Sequence, residues 1–502
     1  MIIVLAFMMT FGLGSEAPFM APAAMLLETE ESADLLDRGR AEVLAGRFAA
    51  GEEVFRLLYR RSDGAPAALH HLATTSLLRV LIFDREGDYA QFFDRSDSLR
   101  EALGDLPRSH GRSFLEGEAD FQRSVAWAKN GQYVRAAMAG VSAYRALTEL
   151  VEDEPEFWEA YKTLGIVHSM LGTLPRRYRR FLSVFGFETE LDAGLDQLET
   201  AIGYSSYARE ESLVFLSVLD AFELPSRVDA TTALTELWLE NRESPLIGMV
   251  LLDVLLRTRQ VEEAETVVRA LSRERPGVVQ LEYLDFFMGQ IKMRQEAWST
   301  AAHAFDVYAT THRGTAFKAL AAVSQGLSLE MAGNRAGAEA AYRLAMEGRE
   351  MDVDEASARL ARKRLDQPMS DSEMTLLRAR MSYDRSDYQR ADCLLRSLAS
   401  SRRTDAAFQA EVAYRLGRVL DETGRDAAAA EQYRLAVEDP GDPTAKWAPY
   451  SLYYLGRIHA EAGRIPEAKA SYRDVLDYRP NYDYRGTNEQ RAQFALQRLE
   501  DG

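Results

Sequence analysis

The sequence predicts an all-α fold: a solenoid of antiparallel helix pairs with a C-terminal capping helix. The first indication is a repeat in which a glycine precedes an alanine by 12 residues and an aromatic residue by 16. Short polar turns, several of which contain glycine, separate the two halves of the units, and no segment keeps the alternating pattern of a strand. Four units share the spacing: Gly289–Ala301–Phe305, Gly326–Ala338–Tyr342, Gly417–Ala429–Tyr433 and Gly456–Ala468–Tyr472.

This spacing has a physical reason. A glycine on the first helix lets the antiparallel second helix approach closely, and the ring one turn after the alanine lies on the same helix face. Gly333, Gly424 and Gly463 lie in the turns, where glycine readily takes the left-handed conformation that ends a helix. Pro276 and Pro480 follow second helices at matching positions, because proline cannot continue a helix.

Weaker copies of the unit extend in both directions and give roughly ten or eleven helix pairs. The C-terminal copies are the most regular, and the N-terminal ones diverge. We expect a signal peptide or anchor at 1–25, divergent repeats at 32–155, a helix pair at 156–206 with an inserted loop at 172–187, repeats at 207–350, a spacer at 351–369, regular repeats at 370–484 and a capping helix at 485–502.

The repeat resembles the tetratricopeptide repeat (TPR), a helix–turn–helix unit of about 34 residues. This resemblance implies a right-handed superhelix whose first helices line the concave face. A narrower likeness rests on Leu174-Pro175, residues 181–187, Gly194-Leu195 and, after the last repeat, Tyr484 and Arg491. These stretches are similar to the eukaryotic inclusion-body-clearance and related TPR family. That resemblance implies an all-helical scaffold without catalytic residues.

The charge balance argues against one class of partner. The 502-residue chain has 60 Lys and Arg against 78 Asp and Glu, a formal net charge of −18. Nucleic-acid binding depends on clustered basic side chains, so we expect no nucleic acid as the main partner. Cys393 is the single cysteine, which rules out an intrachain disulfide. Its position beside Leu394 and Leu395 in a predicted helix indicates a buried, inert thiol.

The N-terminus begins with an uncharged apolar run, residues 1–14, followed by small residues. The run is shorter than the roughly 20 residues of a membrane span, which favours a cleaved signal peptide and a periplasmic or cell-envelope location. No Lys or Arg precedes the run, and two alternatives stay open. One is an apolar helix packed on the domain of a cytoplasmic protein, and the other is an uncleaved anchor that associates with a membrane.

The sequence has none of the usual catalytic or ligand-binding motifs. Its seven histidines form no metal-ligand spacing such as HExxH, and the patterns GxxxxGK[ST], GxSxG and GxGxxG are missing. We therefore expect no enzyme activity, no catalytic residue, no cofactor and no metal site. The alternative is a solenoid enzyme of the lytic transglycosylase type, which would need a compact lysozyme-like domain for which the repeats leave no room.

The inward positions of the first helices form a candidate binding surface, and in the last three units they place an apolar or aromatic residue and an arginine one turn apart. Tyr and Arg are enriched at binding hot spots, so these positions predict recognition of a protein or peptide segment. The alternative is a self-paired face, since Arg380, Arg418 and Arg457 each precede an acid by four residues. The candidate residues are Tyr283, Phe286, Arg380, Tyr383, Tyr414, Arg418, Tyr453 and Arg457.

A second candidate surface is a basic patch in the inserted loop. It would meet an anionic head group or an acidic partner, or be solvated or neutralised by neighbouring acids. The sequence as a whole predicts a non-catalytic scaffold that binds a protein partner on its concave face. The alternative is a structural subunit that self-associates through its terminal repeats or the loop. The basic patch comprises Arg176, Arg177, Arg179 and Arg180.

Overall fold

The computed structural model describes residues 21–172, 191–221, 229–241, 244–314, 316–347, 352–401 and 405–501. Every regular element in these ranges is a helix, which confirms the all-α helical repeat fold. The first twelve helices are α1 (Ala21–Ala24), α2 (Glu30–Leu44), α3 (Phe48–Tyr59), α4 (Ala65–Phe83), α5 (Glu86–Gly104), α6 (His110–Lys129), α7 (Tyr133–Asp153), α8 (Trp158–Gly172), α9 (Leu191–Tyr204), α10 (Arg209–Ala221), α11 (Ala230–Glu240) and α12 (Pro245–Arg257).

The remaining helices complete the solenoid. They are α13 (Val261–Leu271), α14 (Tyr283–Arg294), α15 (Trp298–Thr311), α16 (Lys318–Met331), α17 (Arg335–Ala345), α18 (Asp352–Asp366), α19 (Asp371–Tyr383), α20 (Tyr388–Ala399), α21 (Ala406–Glu422), α22 (Asp426–Glu438), α23 (Trp447–Glu461), α24 (Ile465–Asp477) and α25 (Arg485–Asp501). Consecutive helices pack in pairs from α2–α3 to α16–α17 and again from α19–α20 to α23–α24. The last helix, α25, packs on α24 and α23.

The predicted glycine–ring contact is present inside the helix pairs. A methyl group on Gly417 would lie 2.6 Å from Tyr433 Cε1, and one on Gly456 would lie 2.5 Å from Tyr472 Cε1. Gly289 with Phe305, Gly326 with Tyr342 and Gly39 with Phe55 form the same contact. Interiors are close-packed, so these positions have no room for a larger residue.

The segment expected to be a spacer, 351–369, contains a packed helix. Helix α18 lies against α16 and α17, with Ala361 fully buried. Arg364 Nη2 pairs with Glu373 Oε1 at 2.7 Å and so connects α18 to the start of α19. The backbone N–H of Met369 donates to Glu330 Oε1 at 2.7 Å. Residues 352–369, the described part of this segment, therefore pack against the neighbouring helices and interrupt the series of pairs.

The described residues form two hydrophobic clusters, and these meet at α19. The larger cluster begins at α1 and includes Leu377 and Met381 of α19. The smaller cluster begins with Leu376 and Ala379 of the same helix and continues to α25. Helices α4 and α12 are apolar on nearly all sides and buried in the larger cluster. The N-terminal part is thus packed around central helices, and α19 is shared by both parts.

A buried charged network lies within the N-terminal part. Lys162 Nζ pairs with Glu118 Oε2 at 2.8 Å and with Glu211 Oε2 at 2.9 Å. All three side chains are almost completely buried. Such a network is costly to desolvate and strongly destabilising to break. His70 and His71 are buried in the same region, and Glu118 and Lys162 are charged neighbours of His70.

Several sequence predictions concern residues outside the described ranges or need correction. Residues 1–20 and the basic patch Arg176, Arg177, Arg179 and Arg180 lie outside the described ranges. In the part of the chain that the structure describes, no helix is long and apolar enough to cross a membrane. Cys393 is exposed, contrary to the prediction. The buried face of α20 comprises Ala391, Leu395 and Leu398, and Cys393 points away from it.

The glycine–ring contact can be tested at Gly417. Replacing Gly417 with valine places a branched side chain against the buried ring of Tyr433, and we expect a loss of about 1–3 kcal/mol in the free energy of unfolding. Chemical denaturation of Gly417→Val, of a control variant and of the unaltered protein measures this loss. Gly203→Val is the matched control, because a methyl group on this helical glycine meets no atom within 4 Å. Equal stability of the two variants would contradict the packing.

The burial of His70 predicts acid sensitivity. Burial lowers the pKa of His70 to about 4 from its ordinary value of 6.5; Glu118 opposes this shift, and Lys162 and Arg40 add to it. The unfolded chain therefore binds a proton between pH 6.5 and 4 that the folded chain does not. We expect this to remove about 3 kcal/mol from the free energy of unfolding by pH 4.

Urea denaturation at pH 7, 5.5 and 4 measures this loss. His70→Gln should reduce the decline, whereas His303→Gln, at an exposed position, should retain it. The same pH dependence in both variants would exclude His70 as its source.

Candidate functional site

Four aromatic residues predicted to contact a partner lie inside the solenoid. Tyr283 is 0% exposed, Phe286 4%, Tyr414 8% and Tyr453 7%. Phe286 stacks on Phe317 with 5.3 Å between ring centroids. The prediction that these rings face a partner is therefore corrected: they are core residues in this structure. The neighbouring helix pairs cover the first helices more completely than the repeat register alone indicates.

The other four candidates remain partly accessible and form ion pairs or hydrogen bonds within the chain. The Arg380 side chain is 48% exposed, that of Arg457 is 32% and that of Arg418 is 12%. Tyr383 is partly buried. The ion pairs that the self-paired alternative requires are present: Arg380–Asp384 at 3.6 Å, Arg418–Glu422 at 3.2 Å and Arg457–Glu461 at 3.8 Å.

Further contacts join successive first helices. The guanidinium carbon of Arg418 lies 4.0 Å from the ring centroid of Tyr454 on α23. Arg457 pairs with Asp421 of α21, and the Tyr383 hydroxyl donates to Glu422 Oε1 at 2.9 Å. The predicted row of arginines is thus an internal network that connects α19, α21 and α23.

The repeat register missed Lys446, because this residue precedes the first helix of its pair. Its Nζ lies 4.7 Å from the ring centroid of Tyr484, 5.2 Å from that of Trp447 and 5.9 Å from that of Tyr450. Cation–π contacts of this kind stabilise the ammonium group. Among the described residues, no carboxylate lies within ion-pair distance of Nζ. Lys446 and Trp447 are adjacent in the sequence. This basic–aromatic pair is the sequence feature that could have indicated the site.

Arg294, at the end of α14, is a second cation for which the described residues supply no carboxylate partner. Helix α14 packs on α19, and Arg380 of α19 is a charged neighbour of both Arg294 and Lys446. Arg294 Nη1 is buried, and no hydrogen-bond acceptor reaches it from the described residues. We call Arg294, Arg380 and Lys446 the cationic cluster.

The pKa values reflect this arrangement. Burial, together with Arg380 and Arg415, lowers the pKa of Lys446 to about 8. Burial lowers the pKa of Arg294 as well, while Asp384 and Arg380 act on it in opposite directions. Both cations are therefore less stable in their charged form than they would be in water, and an added anion would stabilise them.

Nearby carboxylates are already engaged with other arginines. Asp253 pairs with Arg257 at 2.7 Å, and Glu411 pairs with Arg415 at 2.6 Å. Asp483 pairs with Arg359 of α18. Asp384 is the only acid that pairs with a member of the cationic cluster in the described ranges, at 3.6 Å from Arg380. The cluster thus holds three positive charges against one negative charge.

A polar groove lies beside this region, between α18 and the C-terminal helices. Its volume is about 1280 Å³, and its lining contains three arginines. Each arginine has a carboxylate partner in the groove: Arg359 with Glu355 at 3.4 Å, Arg473 with Glu500 at 3.3 Å and Arg485 with Glu489 at 2.6 Å. The groove lining carries five acidic residues against these three arginines, so the groove offers no excess of positive charge to an anion.

The described residues do not bring together the groups of a metal site. No three of their His, Cys, Asp and Glu side chains could hold a metal ion in common. His168, which lies on α8, is buried and contacts Gln197 Oε1 at 2.6 Å and the Tyr144 hydroxyl at 3.2 Å. Such contacts are those of a structural histidine.

No protein-family model matches the chain, and no curated protein matches it. Solved structures of helical proteins match it at low identity. The apo form of the quorum sensor NprR from B. thuringiensis has a TM-score of 0.34 and 10% identity, covering 82% of this chain and 98% of that chain. A monomeric IFIT1 mutant with m7Gppp-AAAA has a TM-score of 0.31 and 12% identity, covering 94% and 98%.

The Cut9–Hcn1 hetero-tetramer of APC/C gives a TM-score of 0.28 and 14% identity, covering 95% of this chain and 98% of that chain. These overlaps are too low for conclusions about function. The fold assignment rests on the helix pairs and the glycine–ring contacts of the chain itself. The protein has a TPR-like helical repeat fold.

Proposed function

We propose that the protein is a non-catalytic interaction scaffold that binds an acidic polypeptide segment at the cationic cluster. The observation that carries the proposal is the presence of two cations that have no carboxylate partner among the described residues of a chain with net charge −18. Buried or partly buried charges are normally paired, so Arg294 and Lys446 indicate a place for an external anion. Carboxylates of a partner would form charge-assisted hydrogen bonds with the guanidinium and ammonium groups.

The neighbouring rings support a polypeptide rather than a free small anion. Trp447 and Tyr450 are partly exposed beside Lys446, and Tyr414 lies behind them with 5.3 Å between its ring centroid and that of Trp447. Aromatic side chains supply contact area at low entropic cost and are enriched where proteins bind one another. The proposed segment therefore combines acidic side chains with extended or helical backbone that packs on the rings.

A fluorescein-labelled hexaglutamate peptide provides a direct test by fluorescence anisotropy. We expect Lys446→Met to weaken its binding about fivefold or more, since one charge-assisted contact is lost. Arg434→Met, which removes an exposed cation on α22, is the matched control and should leave the affinity nearly unchanged. Absence of binding by the unaltered protein, or equal losses in both variants, would refute the proposal.

The pH dependence of the same assay identifies the lysine. Because the pKa of Lys446 is lowered to about 8, its positive charge is lost as the pH rises through that value. We expect the unaltered protein to bind the peptide more weakly at pH 9 than at pH 7. The Lys446→Met variant should lack this difference, and its persistence would exclude Lys446 as the titrating group.

We further propose that the scaffold is exported and acts in the cell envelope. Support comes from the uncharged apolar run at residues 1–14 and the small residues that follow it. N-terminal sequencing of the mature protein should give a start after this run, in an envelope fraction. Mature protein that retains Met1 in the cytosol would contradict export.

A further inference from the structure

Most turns within the helix pairs contain a residue in the left-handed backbone conformation. Glycine adopts this conformation freely, whereas other residues are strained in it. Five of the described turns use glycine, with φ between 68° and 82°: Gly46, Gly131, Gly333, Gly424 and Gly463. Four use another residue, with φ between 53° and 64°: Asp84, Arg259, Glu296 and Ser386.

Each of these four residues contacts a different helix pair or its turn. Asp84 Oδ2 pairs with Lys129 Nζ at 3.4 Å, and Glu296 Oε1 pairs with Arg390 Nη2 at 2.7 Å. The Ser386 hydroxyl donates to the carbonyl oxygen of Arg259 at 3.5 Å. Strained backbone persists where surrounding contacts compensate for it. The non-glycine turns are therefore points at which distant parts of the solenoid meet.

Arg259 has the most extensive contacts of the four. Its Nη2 pairs with Glu422 Oε2 at 2.7 Å. Its Nε donates to the Tyr388 hydroxyl at 3.1 Å, and its Nη1 donates to the Tyr383 hydroxyl at 3.2 Å. The guanidinium carbon lies 4.9 Å from the ring centroid of Tyr383 and 5.9 Å from that of Tyr388. We call Tyr383, Tyr388 and Glu422 the guanidinium cage.

The chemistry of the cage selects a guanidinium group. Two hydroxyl oxygens accept hydrogen bonds from Nε and Nη1, and one carboxylate oxygen forms an ion pair with Nη2 of the same planar fork. The two rings add cation–π attraction. A lysine ammonium is a compact point charge and does not offer three donors in this geometry.

Glu422 and Tyr383 have polar partners other than Arg259. Glu422 Oε1 accepts hydrogen bonds from Arg418 Nη2 at 3.2 Å and from the Tyr383 hydroxyl at 2.9 Å, which leaves Oε2 for Arg259. Burial opposes ionisation of Glu422, but Arg259 and Arg418 hold its pKa below the ordinary value. Removal of Arg259 therefore leaves Glu422 Oε2 without its ion-pair partner, while Arg418 and the Tyr383 hydroxyl still bond to Oε1.

The cage is also within reach of solvent. The Arg259 and Glu422 side chains are each 21% exposed, so an incoming side chain can approach without unfolding a helix. Arg259 lies on the short turn between α12 and α13, not within a helix. Its strained φ of 64° means that glycine is the residue with the lowest conformational cost at this position.

We propose that the guanidinium cage of Tyr383, Tyr388 and Glu422 is a binding site for an arginine side chain of a partner polypeptide, and that Arg259 occupies it in cis until the partner's arginine displaces it. Arg259 thereby acts as an autoinhibitory ligand of the cage. The site is separate from the cationic cluster, and it takes a cation where the cluster takes an anion. Either proposal can fail without the other.

The test uses N-acetyl-L-argininamide as the probe and saturation-transfer NMR as the measurement. Arg259→Gly removes the side chain that occupies the cage. Glycine suits the left-handed backbone of this turn, as it does in five other turns. We expect it to bind the probe at least about tenfold more tightly than the unaltered protein, because no tethered competitor remains. N-acetyl-L-lysinamide should bind more weakly than the arginine probe to the same variant.

Two further variants distinguish the cage from nonspecific binding. Glu422→Gln in the Arg259→Gly background removes the carboxylate charge while keeping the side-chain shape, and it should abolish the gain. Arg259→Lys retains a tethered cation without the fork, and it should give an intermediate affinity. Equal affinity of Arg259→Gly and the unaltered protein, or a gain that survives Glu422→Gln, would overturn the proposal.

Discussion

The contact between a glycine on the first helix and a buried ring on the second is the constraint on which the repeats depend. The ring of Tyr433 occupies the space that a side chain on Gly417 would need, so the two helices approach at a distance set by the ring. The same ring stacks on Tyr454 of the next pair, with centroids 5.6 Å apart and planes 17° from parallel. The Tyr433 side chain thus contributes both to the spacing of the two helices within its pair and to the packing of that pair on the next one.

This use of aromatic residues decides what the first helices can offer to a partner. Rings such as Tyr414 and Tyr453 are buried in the core. The side chains that these helices expose to a partner are therefore mainly charged. Most of that charge is neutralised locally, as in Arg457 with Asp421. Arg294 and Lys446 stand out because desolvation destabilises a cation that has no paired carboxylate. The proposed acidic partner supplies the missing negative charge.

The junction at α19 gives the solenoid a second level of organisation. Apolar contacts of α19 reach both hydrophobic clusters, while the turns around it make polar contacts. Arg259 with Glu422 and Glu296 with Arg390 are examples of such contacts. Polar interfaces between parts of a chain tolerate rearrangement more readily than apolar ones. The proposed displacement of Arg259 would change polar contacts of this kind and not the apolar packing of α19.

The repeat was predictable from sequence because its determinants are local. Gly417 and Tyr433 lie within one helix pair, and their spacing follows from helix geometry alone. The same reasoning placed Arg418 and Glu422 together, one turn apart on α21. It failed for Cys393, where the apolar neighbours in sequence lie on a different helix face from the thiol.

By itself, the sequence determined the helix pairs, the close approach at glycine and the ion pairs within single helices. Only the tertiary structure decided that Arg259 meets Glu422 and that Arg294 and Lys446 share Arg380 as a neighbour. These groups are far apart in the chain, and their meeting depends on how small rotations from pair to pair accumulate along the solenoid. No local sequence pattern predicts the accumulated rotation, because the rotation between two successive pairs depends on how side chains from both pairs pack together.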